Sequence, residues 1–380
     1  MSRVEVVKQA FKAQFNYAAA NVFHGPARVN LIGDHTDYND GFVLPAAINF
    51  GTDIAATCRT DRQIRVLALD CNNEYVELSL DELTFDNDRM WVNYVAGTLL
   101  SLMKTYPNIL GADLVVSGNV PLGAGLSSSA SFEIAILRTF SVLYQLPLDG
   151  IKAALMGQEA ENDFVGCNCG IMDQLISAMG QQDHAMLLDC RSLTFEDAPI
   201  PEGLEVVIVN SNVKRGLVDS EYNTRRKQCE EVADLFGAPA LRDITMEQLE
   251  QNKHRMEDVA YRRAKHVISE NARTEQALQA MKCNDIAKLS ELMKGSHQSL
   301  RDDFEVTTKE LDGLVELIDS VLGNTGGVRM TGGGFGGCVV ALAPTDKVPA
   351  IISTVQAQYP RQFGLSADIF VCTAASGAFR

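Results

Sequence analysis

The chain is short of basic residues: 33 Lys and Arg stand against 49 Asp and Glu, for a formal net charge of −16. That balance excludes nucleic acid as a partner, because phosphate backbones require clustered cations, and it disfavours an anionic membrane surface. Nor is there an apolar run approaching the ~20 residues needed to cross a bilayer. A secretory leader is not expected either. The opening MSRVEVVKQAFKAQF instead puts Val4, Val7, Phe11 and Phe15 at helical spacing. The nine cysteines are an odd number spread from Cys58 to Cys372, which suits reduced thiols in the cytoplasm better than a disulfide framework. Cys167 and Cys169 form a C-x-C pair with no second pair nearby, so no structural zinc is expected. Low-complexity tracts and fixed-period repeats are missing too.

What is present suits a globular enzyme. With 380 residues, 46% of them hydrophobic, the chain has material for two packed cores. After the first helix, Asn30 to Ile48 reads as strand, loop, strand, and Gln63 to Val76 and Leu114 to Ser117 carry strand patterns. Helices are expected at about Trp91 to Lys104, Ser128 to Tyr144 and Leu148 to Phe164. Ala185 to Asp189 is a further strand, and Ala198 to Gly203 reads as a linker dividing domains 1–200 and 201–380. Beyond it come a strand at Leu204 to Asn210, a mainly helical stretch from Tyr222 to Leu322, and a final strand near Ala367 to Cys372. Strands and helices alternate irregularly, with antiparallel hairpins, which makes the fold class α+β rather than a doubly wound sheet.

The most informative segment is SGNVPLGAGLSSSASFEIAI, Ser117 to Ile136. Gly123 and Gly125 allow a sharp turn and close backbone approach to a ligand. Ser127, Ser128 and Ser129 then open an apolar helix, whose first N–H groups and dipole favour an anion. A plain glycine turn with a serine N-cap would need fewer serines, so the segment reads as a phosphate cradle. The chain has no G-x-x-x-x-G-K-[ST] loop, and the phosphate charge must therefore be met by Mg²⁺ and by residues from elsewhere. A second glycine cluster, Gly332, Gly334 and Gly337, matches G-x-G-x-x-G but is followed by the strand-like CVVALAP. A dinucleotide turn requires a helix there, so this stretch reads as a glycine-rich hairpin beside the ligand.

Three polar sites complete the pattern. ARVNLIGDHTDYNDGFVLPAAI gathers Arg28, Asp34, His35, Asp37, Tyr38 and Asp40 between apolar flanks, a mixture suited to sugar hydroxyls and equally to a polar hairpin. Glu161 is either a solvated Glu near a helix end or, if the helix from Leu148 continues, a carboxylate facing inward, one heptad after Ala154 on a stripe with Leu155, Gln158 and Val165. Such a group needs a cation or donors, and Mg²⁺ is one candidate. Asp173, among Ile171, Met172, Leu175 and Ile176, fits a general base for a hydroxyl or an N-cap for the helix beginning there.

Taken together these segments resemble the GHMP family of small-molecule kinases and, within it, the galactokinases. RVNLIGDHTDYNDGFVLP is similar to the galactokinase signature, PLGAGLSSSA to the family's phosphate loop, and GGVRMTGGGFGGCVVAL to its C-terminal glycine motif, all in the family's order. GQEAENDFVGCNCGIMDQ and SEYNTRR match as well. The resemblance implies a ribosomal S5 domain 2-like N-terminal domain, a ferredoxin-like C-terminal domain, and a site between them. It further implies that Asp34, His35, Thr36, Asp37, Gly170 and Tyr222 contact D-galactose. Gly123, Ala124, Gly125, Leu126, Ser127, Ser128 and Ser129 would wrap the phosphates of ATP, and Ser129 and Glu161 would hold Mg²⁺. Asp173 would take the proton of the anomeric hydroxyl and Arg28 would stabilise the transferring group, giving α-D-galactose 1-phosphate.

Two positions depart from the family pattern. Asp34 stands where a longer Glu is usual, so its sugar contact is expected to run through a water or a small backbone shift. Ala27 replaces a Gly, which requires a backbone φ that Ala can adopt. Alternatives are a kinase for N-acetylgalactosamine or arabinose, or a catalytically silent sugar sensor; the complete run Ser127 to Ala130 argues against the sensor. The enzyme is expected to act as a cytoplasmic monomer.

Overall fold

The computed structural model describes residues 2–121, 125–213 and 218–380, with side chains at 218–220 outside the description. In chain order the first part holds α1 (Arg3–Phe15), β1 (Asn21–Asn30), β2 (Phe42–Val43), β3 (Pro45–Cys58), β4 (Gln63–Ala68) and β5 (Glu74–Ser79). There follow α2 (Met90–Thr105), β6 (Ala112–Gly118), α3 (Ser128–Leu143), α4 (Gly150–Glu159), α5 (Met172–Met179), β7 (His184–Asp189) and β8 (Phe195–Pro199). The second part holds β9 (Leu204–Asn210), α6 (Val218–Phe236), α7 (Met246–Gln251), α8 (Asp258–Lys282), α9 (Ile286–Asp302) and α10 (Lys309–Leu322). It ends with β10 (Gly327–Thr331), β11 (Cys338–Pro344), α11 (Val348–Phe363) and β12 (Asp368–Cys372).

The strands build a five-stranded sheet β1-β3-β6-β4-β5, a four-stranded sheet β10-β11-β9-β12 and a small sheet β2-β7-β8. Among the described residues only the β4·β6 pairing is parallel. Predominantly antiparallel sheets with helices packed on them make the fold α+β. Among the described residues no helix is long and apolar enough to cross a membrane.

Strand alternation explains how the second sheet serves two cores at once. In β9, Val207 and Val209 face a core built with α10 and α11, while Val206 and Ile208 face another that includes Val29, Leu31 and Leu126 from the first part. β11 repeats the pattern, with Val339 and Ala341 on one side and Val340 and Leu342 on the other. The β1 end and the phosphate loop are thereby seated on the four-stranded sheet. Their relative position is set by packing.

Details differ from expectation. In α1 only Val7, Phe11 and Phe15 are buried, while Val4 is 38% exposed. The i, i+4, i+8 stripe covers Ala55, Leu67 and Val115, and Val4 falls at its edge. The first two residues of the supposed linker, Ala198 and Pro199, belong to β8. Helix α11, with Pro349 in its first turn and Pro360 near its end, is an addition. The helix through Glu161 is not continuous either: α4 ends at Glu159 and a wider π turn occupies Ala160–Val165. Leu155 is therefore off the inward stripe, at 42% exposure.

Candidate active site

The site grows from the close approach of α3 to β1. Gly25 makes that approach feasible, because a Cβ there would lie 2.2 Å from the carbonyl oxygen of Ser131. Ser131 Oγ donates to the Gly25 carbonyl at 2.7 Å and locks the helix start to the strand. Arg28, three residues along β1, points at the loop before α3. Its backbone N–H donates to Leu126 O at 3.3 Å and its Nη1 to Gly125 O at 2.7 Å. The same guanidinium grips Asp173 in α5, with Nε donating to Oδ1 at 2.6 Å and Nη2 to Oδ2. A fork of this kind fixes both charge and orientation.

Ser127 completes the arrangement. Its φ of +56° is left-handed and its side chain caps nothing in α3; the hydroxyl donates to Asp173 Oδ2. The plain N-cap reading of the serine run is thus replaced by a contact to the carboxylate. Asp173 is no N-cap either, since it lies inside α5 with Ile171 at the cap position. Gly125, Leu126, Ser127, Ser128 and Ser129 line a cavity of about 640 Å³ with Arg28 and Asp173. Gly123 and Ala124 lie outside the described residues. The glycine-rich run is a hairpin joining β10 and β11, and Gly332 and Gly333 line the same cavity.

The loop after β1 forms the opposite wall. Asp34, His35 and Asp37 line the cavity together with Gly170 and Tyr222. Thr36 does not: it is fully buried, and its hydroxyl donates to the carbonyls of Gly33 at 2.8 Å and Phe42 at 2.7 Å. This corrects its expected sugar contact; the hydroxyl is spent on holding the loop. The His35 ring packs 4.6 Å from Phe304 and 5.4 Å from Tyr222, measured between centroids. Nδ1 meets the Tyr38 hydroxyl at 2.9 Å, and among the described residues no hydrogen bond within normal geometry reaches the buried Nε2. Burial, assisted by the positive charge of neighbouring groups, lowers its pKa to about 3, so the ring is neutral. Asp37 is pushed up to about 6 by burial and then by the Asp173 carboxylate. Gly170 allows this packing, because a Cβ there would fall 2.1 Å from Asp37 Oδ2.

Behind the serine run, Glu161 is buried in the π turn and accepts from Gln174 Nε2 at 2.6 Å and from Cys169 Sγ at 3.5 Å. The Ser129 hydroxyl also donates to it. Burial raises its pKa, and the groups acting on it most are neutral donors and the negative Asp173. Glu133, fully buried nearby, leaves Oε1 without a partner among the described residues. This donor set lacks a counter-charge, and a divalent cation fits it.

Met90, Tyr94, Pro121 and Val165 also line the cavity, and their apolar surface is of the kind that takes a planar base. Met90 and Tyr94 were not singled out in the sequence, nor were Gln174 and Glu133. Their signal was slight, because apolar residues at a helix start and polar ones inside amphipathic helices are common.

A glycine- and serine-rich loop, a carboxylate held by arginine and a polar wall between two sheets define a GHMP-type small-molecule kinase. Family models agree: the GHMP kinases N-terminal domain matches residues 93–181, the GHMP kinases C-terminal region residues 274–361, and the galactokinase galactose-binding signature residues 9–58. The Lactococcus lactis galactokinase, solved in complex with galactose, is 34% identical, covers 99% of each chain and superposes with a TM-score of 0.93. The Methanococcus jannaschii mevalonate kinase, at 19% identity, covers 94% of this chain and 98% of its own with a TM-score of 0.64. The Streptococcus pneumoniae phosphomevalonate kinase, at 12% identity, covers 92% and 99% with a TM-score of 0.66; these last two share the fold. The chain belongs to the galactokinase family of ATP-dependent sugar kinases.

Proposed function

We propose that this enzyme transfers the γ-phosphate of ATP to the anomeric hydroxyl of D-galactose, giving α-D-galactose 1-phosphate and ADP. The observation that carries the assignment of roles is the Arg28–Asp173 fork, closed by the Ser127 hydroxyl where the polar wall meets the serine loop. In this reading Asp173 accepts the proton of the attacking hydroxyl. Arg28, bound to Gly125 O and Asp173 at once, holds the base in place and faces the charge that develops on the transferring group. His35, Asp34 and Asp37 orient the sugar hydroxyls, and Tyr222 covers them.

Residues Gly125 to Ser129 face the phosphates, and the apolar surface at Met90 and Tyr94 takes the base. Glu161 and Ser129 would hold Mg²⁺, which would supply charge neutralisation of the phosphate oxygens. Glu161 is suited to this because it is buried with neutral donors alone. The reading treats residues 1–200 and 201–380 as two domains of a cytoplasmic monomer. A panel of galactose, N-acetylgalactosamine, arabinose and glucose with Mg·ATP, scored by direct detection of sugar phosphate, tests it. Robust transfer to galactose is expected; negligible transfer to galactose beside strong transfer to another sugar overturns it.

A further inference from the structure

One wall of the sugar site is held from the far half of the chain. Arg329, in the middle of β10, is fully buried and is the largest such side chain among the described residues. Its Nη2 donates to Asp34 Oδ2, and its Nη1 reaches the carbonyls of Leu31 at 3.3 Å and Asn30 at 3.5 Å. Its Nε donates to Ser296 Oγ at 3.1 Å. Ser296 in turn donates to Glu270 Oε1, which also accepts the Gly33 N–H at 3.1 Å. His266 adds a contact from Nε2 to the Asp34 carbonyl at 3.1 Å. Three side chains from α8 and β10 thus clamp the backbone and carboxylate of the five-residue stretch Asn30 to Asp34.

We infer that Arg329 is a positioning residue that orients the Asp34 carboxylate for the sugar and so sets sugar affinity. Asp34 Oδ1 is held by Asn30 Nδ2 at 2.8 Å and Oδ2 by Arg329, so neither oxygen can turn. Each carboxylate oxygen has two acceptor positions, which leaves one on each for a hydroxyl in the cavity that Asp34 lines. A buried ion pair is seldom worth more to stability than apolar residues of equal volume. The value of this one lies in the fixed direction it gives the carboxylate. The short Asp34 side chain makes that direction matter more, because it has one torsion fewer than Glu with which to adapt.

The inference rests on the proposed assignment of Asp34 to the sugar, and its test is a double-mutant cycle on the full-length enzyme. Asp34→Asn, Arg329→Met and the double variant are compared for KM of galactose, KM of ATP and kcat. Arg329→Met is expected to raise the sugar KM about tenfold or more, with ATP KM and kcat at saturating sugar changed less than about threefold. Once Asp34 is Asn, losing Arg329 should cost at most about a further twofold, because the two act as a unit. The inference is overturned by an unchanged sugar KM in Arg329→Met, by a parallel rise in ATP KM, or by losses that multiply in the double variant. Where Arg329→Met does not fold, Arg329→Lys, which keeps the charge without the fork, takes its place in the same cycle. Should the wild type use another sugar, the proposed substrate falls, and the cycle is read with that sugar.

Discussion

Asp173→Asn separates chemistry from architecture. The carboxylate receives Arg28 Nε at 2.6 Å, Arg28 Nη2 and the Ser127 hydroxyl. Asn has the same shape, so its carbonyl oxygen can keep the Nε bond while its NH₂ meets a donor at Nη2. One charge-assisted hydrogen bond is lost, at a cost of about 1.5–3 kcal/mol. Against the roughly 5–15 kcal/mol that folds a domain, the variant remains native. Arg28 retains Gly125 O, so the phosphate loop stays attached to β1. Asp34, His35 and Asp37 are untouched, and galactose affinity should stay within about threefold. Turnover behaves differently. A positioned base contributes about 10²–10⁴-fold, equivalent to about 3–5 kcal/mol of transition-state stabilisation, and Asn cannot accept the proton. The assay is ADP release at saturating galactose and Mg·ATP, with calorimetric galactose binding and a thermal melt as controls. A folded, sugar-binding Asp173→Asn enzyme with kcat within about threefold of wild type would remove Asp173 from the mechanism.

Glu161→Gln should raise the Kd of ADP in the presence of Mg²⁺ by about tenfold or more. Its effect on ADP affinity in a chelator should be slight; isothermal calorimetry distinguishes this from general damage to the nucleotide site, which would weaken both. Gly170→Ala places a methyl 2.1 Å from Asp37 Oδ2 and must displace that carboxylate or its loop. The sugar KM should rise about tenfold with ATP KM unchanged, and an unchanged sugar KM contradicts the packing. The pKa of Asp37, raised from 3.8 to about 6 by burial and by Asp173, sets a pH dependence. As pH falls through about 6 the group takes up a proton and its charged contact to the sugar is lost, so kcat/KM for galactose should fall with an inflection there. The same sign makes this group favour folding at low pH, an effect that fades as pH rises through the window from 3.8 to about 6. A flat kcat/KM profile across that window excludes Asp37 as an ionised sugar contact.

Local chemistry made much of the site visible in the sequence. Glycines that admit close approach, serines in excess of what a cap needs and a carboxylate among apolar residues each carry a physical signal within a few positions. The strand pattern LEVVIVN is similarly local, and β9 spans those residues. Where the reading failed, a longer-range effect had intervened. Thr36 lies among sugar-facing residues in sequence, yet the tight loop between Gly33 and Phe42 turns its hydroxyl onto backbone carbonyls. Leu155 fits the inward stripe of a straight helix, but the π turn at Ala160–Val165 adds a residue to the spiral. Glu161 then reaches the interior by a different rotation, and Leu155 is left outside.

Arg329 marks the limit of that legibility most clearly. Its segment, GVRMT, places a charge between apolar residues of a strand whose every position is buried, which signals that some partner must exist. Strand periodicity cannot say which partner, because the pairing spans 295 positions and depends on how the second sheet seats against β1. Only the alternation of β9 and β11 between two cores fixes that seating. The residues that line the cavity were readable in part from their neighbours in sequence, whereas the partners that hold Asp34 belong to the packing between the two sheets. A substitution at Arg329 should accordingly act like a change in the sugar loop itself, although the two lie at opposite ends of the chain.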